Sequence, residues 1–255
     1  AVTIDRHALD DALGAPPPRL DVEAMEPRDR GHARMIAATA LRRLGQIDAV
    51  IQTFLERPLP KDRGRLMPIL QSATAQLLFL GTAPHAAINV AVEQCRRDRG
   101  ARRFDKLANA VLRRVAERGA GIVATQDAAK LNIPAWLWSR WCSTYGETIA
   151  RRIAAASLTE AALDITVRED GAGWAGRLGG TLLPTGSVRL TAEGRIEDLP
   201  GFRDGAWWVQ DAAAALPARL LGEVRGLAVA DICAAPGGKT AELAAAGAIV
   251  TAVDK

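Results

Sequence analysis

The chain has 255 residues, of which 49% are hydrophobic and 24% are charged, a composition close to that of ordinary globular proteins. This length predicts one to two domains and excludes both a disulfide-stapled miniprotein and a wholly disordered chain. No apolar run approaches the roughly 20 residues that span a bilayer. No signal peptide opens the chain, and its three cysteines form no CxxC pair. We therefore expect a cytoplasmic protein without a membrane segment or a metal site.

The positive charge is concentrated in one short stretch. The net charge is +4, yet residues 95–118 hold nine basic and three acidic residues, which leaves the remainder of the chain at −2. Clustered arginine on helices is typical of a protein that binds a phosphate backbone, and a solvated helical face is the alternative. The candidate contacts are Arg96, Arg97, Arg99, Arg102, Arg103, Lys106, Arg113 and Arg114.

The first half of the chain has a helical pattern. Residues 1–27 form a short amphipathic segment and a proline-rich linker, since residues 14–18 read Gly-Ala-Pro-Pro-Pro. Apolar residues then recur at helical spacing through residues 28–120, interrupted by glycine and proline. Helix ends are predicted at Gly45, Pro58, Gly81, Gly100 and Gly119. These breaks predict an all-α bundle of about five helices.

Residues 121–200 change from helices to short strands. The helical part carries Trp136, Trp138 and Trp141, which either pack against a neighbouring element or stack on bases. From Leu163 apolar and polar residues alternate, and glycines and prolines separate short strands. The pattern predicts a helical linker followed by a small α+β domain.

The final stretch, residues 201–255, predicts the opening of a doubly wound α/β domain. A strand near residues 207–209 precedes Asp211, a good N-cap for the next helix. A buried strand over residues 227–230, a helix over 239–246 and a strand over 249–253 follow.

The loop between the first strand and the helix of this unit has the sequence Asp-Ile-Cys-Ala-Ala-Pro-Gly-Gly-Lys-Thr, residues 231–240. Small residues let the backbone approach a ligand, and the following helix start stabilises an anion. Asp254 ends the next strand, where an acid can hold a ribose diol. A P-loop would need glycine at position 233, which is Cys233, and no dinucleotide fingerprint is present. S-adenosylmethionine remains as the candidate cofactor, beside a merely structural glycine turn.

The same loop resembles the S-adenosylmethionine loop of the RNA cytosine-5 methyltransferases, whose hallmark is Cys-Ala-Ala-Pro-Gly-Gly-Lys. Residues 200–215 resemble the segment that enters this domain in that family. Residues 83–93 and 107–114 resemble NusB, the antitermination factor. The combination is similar to the bacterial enzymes that methylate small-subunit (16S) ribosomal RNA.

The resemblance implies a multidomain α and α/β protein: a NusB-like RNA-binding bundle, a small α+β linker domain and the start of a Rossmann-like methyltransferase domain. It implies a monomer that binds small-subunit ribosomal RNA without a metal. The implied cofactor contacts are Cys233, Ala234, Ala235, Pro236, Gly237, Gly238, Lys239 and Asp254.

The family's chemistry uses a cysteine nucleophile that attacks the target cytosine, and a second cysteine that assists its release. Both lie well downstream of the cofactor loop, so we expect neither in this chain. The methyltransferase domain is then incomplete, and the 255-residue chain is predicted to be inactive. Two alternatives stay open: a non-catalytic RNA-binding or assembly protein with a NusB-like module, and a P-loop ATPase.

Overall fold

A computed structural model describes residues 26–191 and 196–255. The predicted N-terminal segment therefore lies almost entirely outside the described residues. The chain divides into two compact units, one up to Thr159 and one from Glu160 onward. Within the described ranges, every helix is too short or too polar to cross a bilayer.

The first unit is helical. Its helices are α1 (Pro27–Arg42), α2 (Leu44–Thr53), α3 (Leu66–Phe79), α4 (Pro84–Arg97), α5 (Asp105–Thr125), α6 (Ala128–Asn132), α7 (Ala135–Tyr145) and α8 (Glu147–Ser157), with a 3₁₀ turn at Arg102–Phe104. Apolar side chains of α2 to α5 form one core, including the fully buried Ile47, Leu70 and Leu112. The bundle of about five helices predicted from periodicity is confirmed in α1 to α5.

The helix end predicted at Gly119 is wrong, and the end predicted at Gly45 falls at Arg42, because both glycines serve packing. Gly45 lies in the first turn of α2, where a Cβ would collide with the backbone carbonyl of Leu131. Gly119 is buried inside α5, where a Cβ would lie 2.9 Å from a methyl group of Leu78. Helix α5 therefore continues through residue 120, at which the sequence predicts a domain boundary.

The second unit contains two sheets in its described part. Strands β1 (Leu163–Val167), β2 (Thr181–Leu182), β3 (Val188–Leu190) and β4 (Trp207–Val209) pair antiparallel in the order β2-β3-β1-β4, with α9 (Gly171–Leu178) between β1 and β2. Ile165, Val188 and Trp207 fill the core of this sheet. Since β4 belongs to it, the sheet crosses residue 200, where a second boundary is predicted.

A parallel pair completes the described chain. Helix α10 (Ala212–Arg219) leads to β5 (Ala228–Asp231), α11 (Gly238–Ala245) and β6 (Ile249–Ala252), and β5 pairs with β6 in parallel. Leu243 of α11 packs between Val229 and Val250 on one face of this pair. Asp211 caps α10 as predicted, because its carboxylate accepts the N–H groups of Ala213 and Ala214. The strand-loop-helix-strand order places the glycine-rich loop at the carboxyl ends of both strands.

Candidate functional site

The loop after β5 is closed by the aspartate at which it begins. One carboxylate oxygen of Asp231 accepts the hydroxyl of Thr240 at 2.7 Å, and the other accepts the N–H of Cys233 at 3.4 Å. Thr240 lies in the first turn of α11. The aspartate therefore ties the end of β5 to the start of the helix, and the intervening residues form a compact turn.

A second aspartate holds the loop against β6. The Asp254 carboxylate accepts the N–H of Ala235 at 2.7 Å, and the N–H of Ala234 donates to the carbonyl of Val253 at 3.2 Å. The hydrogen bond from Ala235, followed by that from Lys255, holds the pKa of the Asp254 carboxyl below its ordinary value of 3.8. Asp254 is therefore ionised at neutral pH, and each oxygen keeps a lone pair for another donor.

The centre of the loop leaves room for a ligand. Gly237 has φ of +103°, which L side chains rarely adopt, and a Cβ there would meet nothing within 4 Å. Among the described residues no side chain caps the start of α11, so its first N–H groups lack a side-chain acceptor there. A helix start of this kind favours a negatively charged group.

The predicted cofactor residues are therefore neighbours in space. Cys233, Ala235, Pro236 and Lys239 are exposed, while Ala234, Gly237 and Gly238 are half-buried. Asp254, two residues after β6, contacts this loop through its hydrogen bond from Ala235. The arrangement suits a small molecule that has both an anionic group and a polyhydroxyl group.

A buried network of hydrogen-bonded side chains supports the loop, and the sequence alone did not predict this network. Gln210, only 6% exposed, accepts the indole N–H of Trp208 at 2.8 Å and donates to Glu242 at 3.2 Å. Glu242 lies on α11 and also accepts from Arg219 at 2.6 Å. A Cβ on Gly238 would lie 3.3 Å from the Gln210 side chain, so Gln210 packs beneath the start of α11. The sequence feature that could have indicated this role is the position of Gln210 directly before Asp211, the N-cap of α10.

The eight predicted cations lie at the end of α4, between α4 and α5, and in the first half of α5; we call this region the basic turn. Apart from the half-buried Arg114, all the predicted cations are exposed. Four of the eight are in ion pairs: Arg96 with Asp105, Arg97 with Glu93, Arg103 with Asp62, and Arg114 with Glu56. The other four, Arg99, Arg102, Lys106 and Arg113, form no ion pair with any residue that the structure describes.

Asp98 sets the shape of this basic turn. Its buried carboxylate accepts the backbone N–H groups of Ala101 at 2.8 Å and Gly100 at 3.1 Å, and the side chain of Arg65 at 2.6 Å. The Arg65 hydrogen bond is the main reason why the pKa of Asp98 lies below its ordinary value. Gly64 and Gly100 touch backbone to backbone, which leaves no space for a Cβ on Gly100. The turn is therefore held in one conformation beneath the unpaired arginines.

The aromatic and thiol side chains take different positions. Trp138 packs beneath the guanidinium of Arg151 at 5.5 Å, which fits the packing interpretation, whereas Trp136 is 67% exposed. Cys95 is fully buried, and burial raises the pKa of its thiol. Among the described residues, no three His, Cys, Asp or Glu side chains cluster so that they could hold a metal ion.

Comparison with known proteins shows that this chain is similar to bacterial proteins named as ribosomal RNA methyltransferases. The "Ribosomal RNA small subunit methyltransferase B" of Xanthomonas campestris is 36% identical over 228 residues, which cover 86% of this chain and 51% of that protein. The protein of the same name from Xylella fastidiosa is 35% identical over 254 residues, covering 95% and 58%. A "Probable ribosomal RNA small subunit methyltransferase B" of Synechocystis is 30% identical over 244 residues, covering 88% and 54%.

A solved structure and a family match complete the comparison. The chain superposes on the "Crystal Structure of PH0851" with a TM-score of 0.59 at 19% identity, over 91% of this chain and 56% of that one, so the two share a fold. Residues 3–117 match the NusB family. The chain spans about half the length of the curated relatives it matches. Over the part of those proteins that it spans, the chain is similar to ribosomal RNA small subunit methyltransferase B, and the NusB match lies within its first unit.

Proposed function

We propose that this chain serves an S-adenosylmethionine-dependent enzyme that methylates C5 of cytosine in small-subunit (16S) ribosomal RNA. The observation that carries the proposal is the hydrogen bond from Ala235 to Asp254, which brings the glycine-rich loop and the acid after β6 together. The names of the curated relatives support a ribosomal RNA substrate. We further propose that β5, α11 and β6 are the first part of a Rossmann-like domain.

The loop fits the cofactor in shape and charge. The space in front of Gly237 is open, and the N-cap residue of the adjacent helix offers the first N–H groups no side-chain acceptor. In the proposed complex those N–H groups hold the carboxylate of the amino-acid part, and Asp254 accepts the ribose hydroxyls. The residues from Cys233 to Lys239 line the site mainly with backbone. When bound, the cofactor supplies an electrophilic methyl group.

The chain's own residues prepare this site. Asp231 fixes the loop to the helix through Thr240, and Gln210 supports the helix from below. These contacts are made by the chain's own residues and fix the loop to the helix, which reduces the conformational entropy that binding has to offset. Removal of either side chain is expected to weaken binding, although neither touches the cofactor in the proposed complex.

We propose that the basic turn of the first unit binds the ribosomal RNA backbone. Four of its cations are exposed and form no ion pair with a described residue: Arg99 and Arg102 lie between α4 and α5, and Lys106 and Arg113 lie in the first half of α5. The planar guanidinium group of arginine can donate two hydrogen bonds to one phosphate group. Neutralisation of RNA phosphates by these cations releases counterions from the RNA. The proposed protein acts as a monomer in the cytoplasm and needs no metal.

The nucleophilic thiol of the family is proposed to lie outside residues 1–255. Cys95 is buried and Cys142 half-buried, while Cys233 is part of the cofactor loop. The 255-residue chain is therefore expected to bind cofactor and RNA but to transfer no methyl group. Incorporation of labelled methyl into 16S RNA by this chain alone would overturn that assignment.

A thermal-shift experiment tests the cofactor. At about 100 times its Kd a ligand raises stability by about 2.7 kcal/mol, so S-adenosylmethionine should raise the melting temperature measurably. ATP should not, because the first glycine of a P-loop is replaced by Cys233. Protection by ATP alone would favour an ATPase. RNA binding by a chain whose melting temperature neither S-adenosylmethionine nor ATP raises would favour the non-catalytic assembly protein.

A further inference from the structure

A groove runs between α4 and α5 on the same side of the first unit as the basic turn. One part of it, about 570 Å³, is lined by Asn89, Arg96, Asp105, Lys106 and Asn109 among others. The adjoining part, about 400 Å³, is lined by His85, Asn89, Asn109 and Arg113 among others. Asn89 and Asn109 line both parts, so the two cavities adjoin at these two amides, and we refer to them together as the α4–α5 groove.

Helical spacing explains why these residues share the groove. Residues 85, 89, 93 and 96 lie on one stripe of α4, and residues 106, 109, 113 and 117 lie on the facing stripe of α5. Packing of α4 against α5 brings the two stripes together. Neither amide forms a side-chain hydrogen bond with another residue in the parts of the chain that the structure describes. Both therefore keep donors and acceptors for a ligand.

The charges in the groove select the kind of ligand. Glu93, Asp105 and Glu117 line it, although Glu93 and Asp105 also pair with Arg97 and Arg96. The three carboxylates are balanced by three cations in the lining, Arg96, Lys106 and Arg113, so the groove has no net positive charge that would select a phosphate. The unpaired cations Lys106 and Arg113 lie toward its two ends, and Arg99 and Arg102 lie outside it. A neutral polar group in the groove with phosphates on the flanking cations matches this distribution.

We propose that the α4–α5 groove holds unpaired nucleobases of the RNA and that Asn89 and Asn109 read their polar edges. Single-stranded RNA is recognised through such edges, with amides and carboxylates as the usual partners. The acceptors of the groove match the exocyclic amino group of cytosine or adenine, which uracil lacks. The half-buried Val92 adds apolar surface for the face of a base. This inference rests on the RNA-binding part of the proposed function.

Binding of oligo(C) and oligo(U) of equal length, about eight nucleotides, tests the inference on the 255-residue chain. These pyrimidines differ in the amino group that the groove is proposed to read. By fluorescence anisotropy we expect about tenfold tighter binding of oligo(C), which corresponds to about 1.4 kcal/mol. In the double variant Asn89→Ala/Asn109→Ala the preference should fall to within about twofold, while the salt dependence that reports phosphate binding stays the same.

The outcomes separate this inference from the proposed function. Equal affinities of the wild-type chain for the two oligonucleotides, with strong salt dependence, would overturn the groove and leave RNA binding intact. A preference for oligo(C) that survives in the double variant would also overturn it, because the base would then be read elsewhere. If neither oligonucleotide binds, the RNA-binding proposal itself fails. Circular dichroism checks that the double variant folds, and Asn89→Ser/Asn109→Ser replaces it if it does not.

Discussion

The carboxylate of Asp254 accepts a hydrogen bond from the backbone N–H of Ala235 at 2.7 Å, although the two residues are 19 positions apart. The contact exists because β5 and β6 are parallel and both end at the same edge of their sheet. It places an ionised carboxylate beside the glycine-rich loop. The position of that loop thus depends on the residue that we propose as the ribose contact.

The first prediction concerns this carboxylate. Asp254→Ala should weaken binding of S-adenosylmethionine by about tenfold or more, because hydrogen bonds to a charged group contribute about 1.5–3 kcal/mol each. Isothermal titration calorimetry on the 255-residue chain measures the change. Asp204→Ala is the matched control, since Asp204 is an exposed aspartate outside the loop. Equal affinities of the Asp254→Ala variant and the wild-type chain would refute the ribose assignment.

The second prediction concerns the basic turn. Reversal of two unpaired cations in Arg99→Glu/Arg102→Glu should lower RNA affinity and reduce the slope of log K against log salt by about 0.7 for each phosphate that is no longer neutralised. Electrophoretic mobility shifts over a salt series measure both quantities. Arg168→Glu/Arg203→Glu makes the same change of charge at exposed positions of the other unit and should have the smaller effect. Similar decreases in the two variants would favour a solvated face at the basic turn.

The third prediction concerns the ion pair beneath α10. Arg189 donates to both oxygens of Asp164, at 2.8 and 2.9 Å, and the Asp164 side chain is only 1% exposed. The Arg189 hydrogen bonds are the main cause that lowers the pKa of Asp164 from its ordinary value of 3.8. Asp164→Asn should therefore cost about 2 kcal/mol of unfolding free energy at neutral pH, measured by urea denaturation.

The pH dependence of that destabilisation follows from the direction of the shift. A lowered pKa in the folded state stabilises the protein fully above the unfolded-state value near 3.8. This stabilisation disappears as the pH falls through the folded-state pKa. The difference in unfolding free energy between wild type and Asp164→Asn should thus begin to shrink below the unfolded-state value and vanish below the folded-state pKa. A difference that is constant down to strong acid would show that the destabilisation is steric.

The fourth prediction compares two glycines inside helices. Gly45→Ala should destabilise the first unit by about 2 kcal/mol, since its Cβ would overlap the carbonyl of Leu131. Gly121→Ala in α5 meets open space and should stabilise the helix by about 0.5–1 kcal/mol. Chemical denaturation followed by circular dichroism measures both. Stabilisation by both substitutions would mean that α2 and α6 do not approach so closely.

Much of the fold could be predicted from the sequence because its signals are local. Helical periodicity predicts the five helices of the bundle, and alternation predicts β1 and β3. The composition of the loop that contains Gly237 and Gly238 predicts a ligand turn, and Asp211 predicts a helix start. Each of these signals depends on residues within one or two turns of each other, which is the range over which backbone propensities act.

The roles of Gly45, Gly119 and Gln210 could not be predicted in that way. Local rules interpret a glycine after apolar residues as a helix end, whereas Gly45 and Gly119 allow distant segments to approach. Gln210 gains its role only because α11 packs above it. Burial and close approach are properties of segments far apart in the chain, and no local pattern records them.

The sequence by itself determined the types of elements, the excess of charge at the basic turn and the identity of the glycine-rich loop. Only the tertiary structure decided which four of the eight predicted cations have an ion-pair partner among the described residues, and that Asn89 lines the same groove as Asn109. The physical reason is that charge and hydrogen-bonding capacity belong to each residue, whereas their neutralisation depends on which partners the fold brings within a few ångströms.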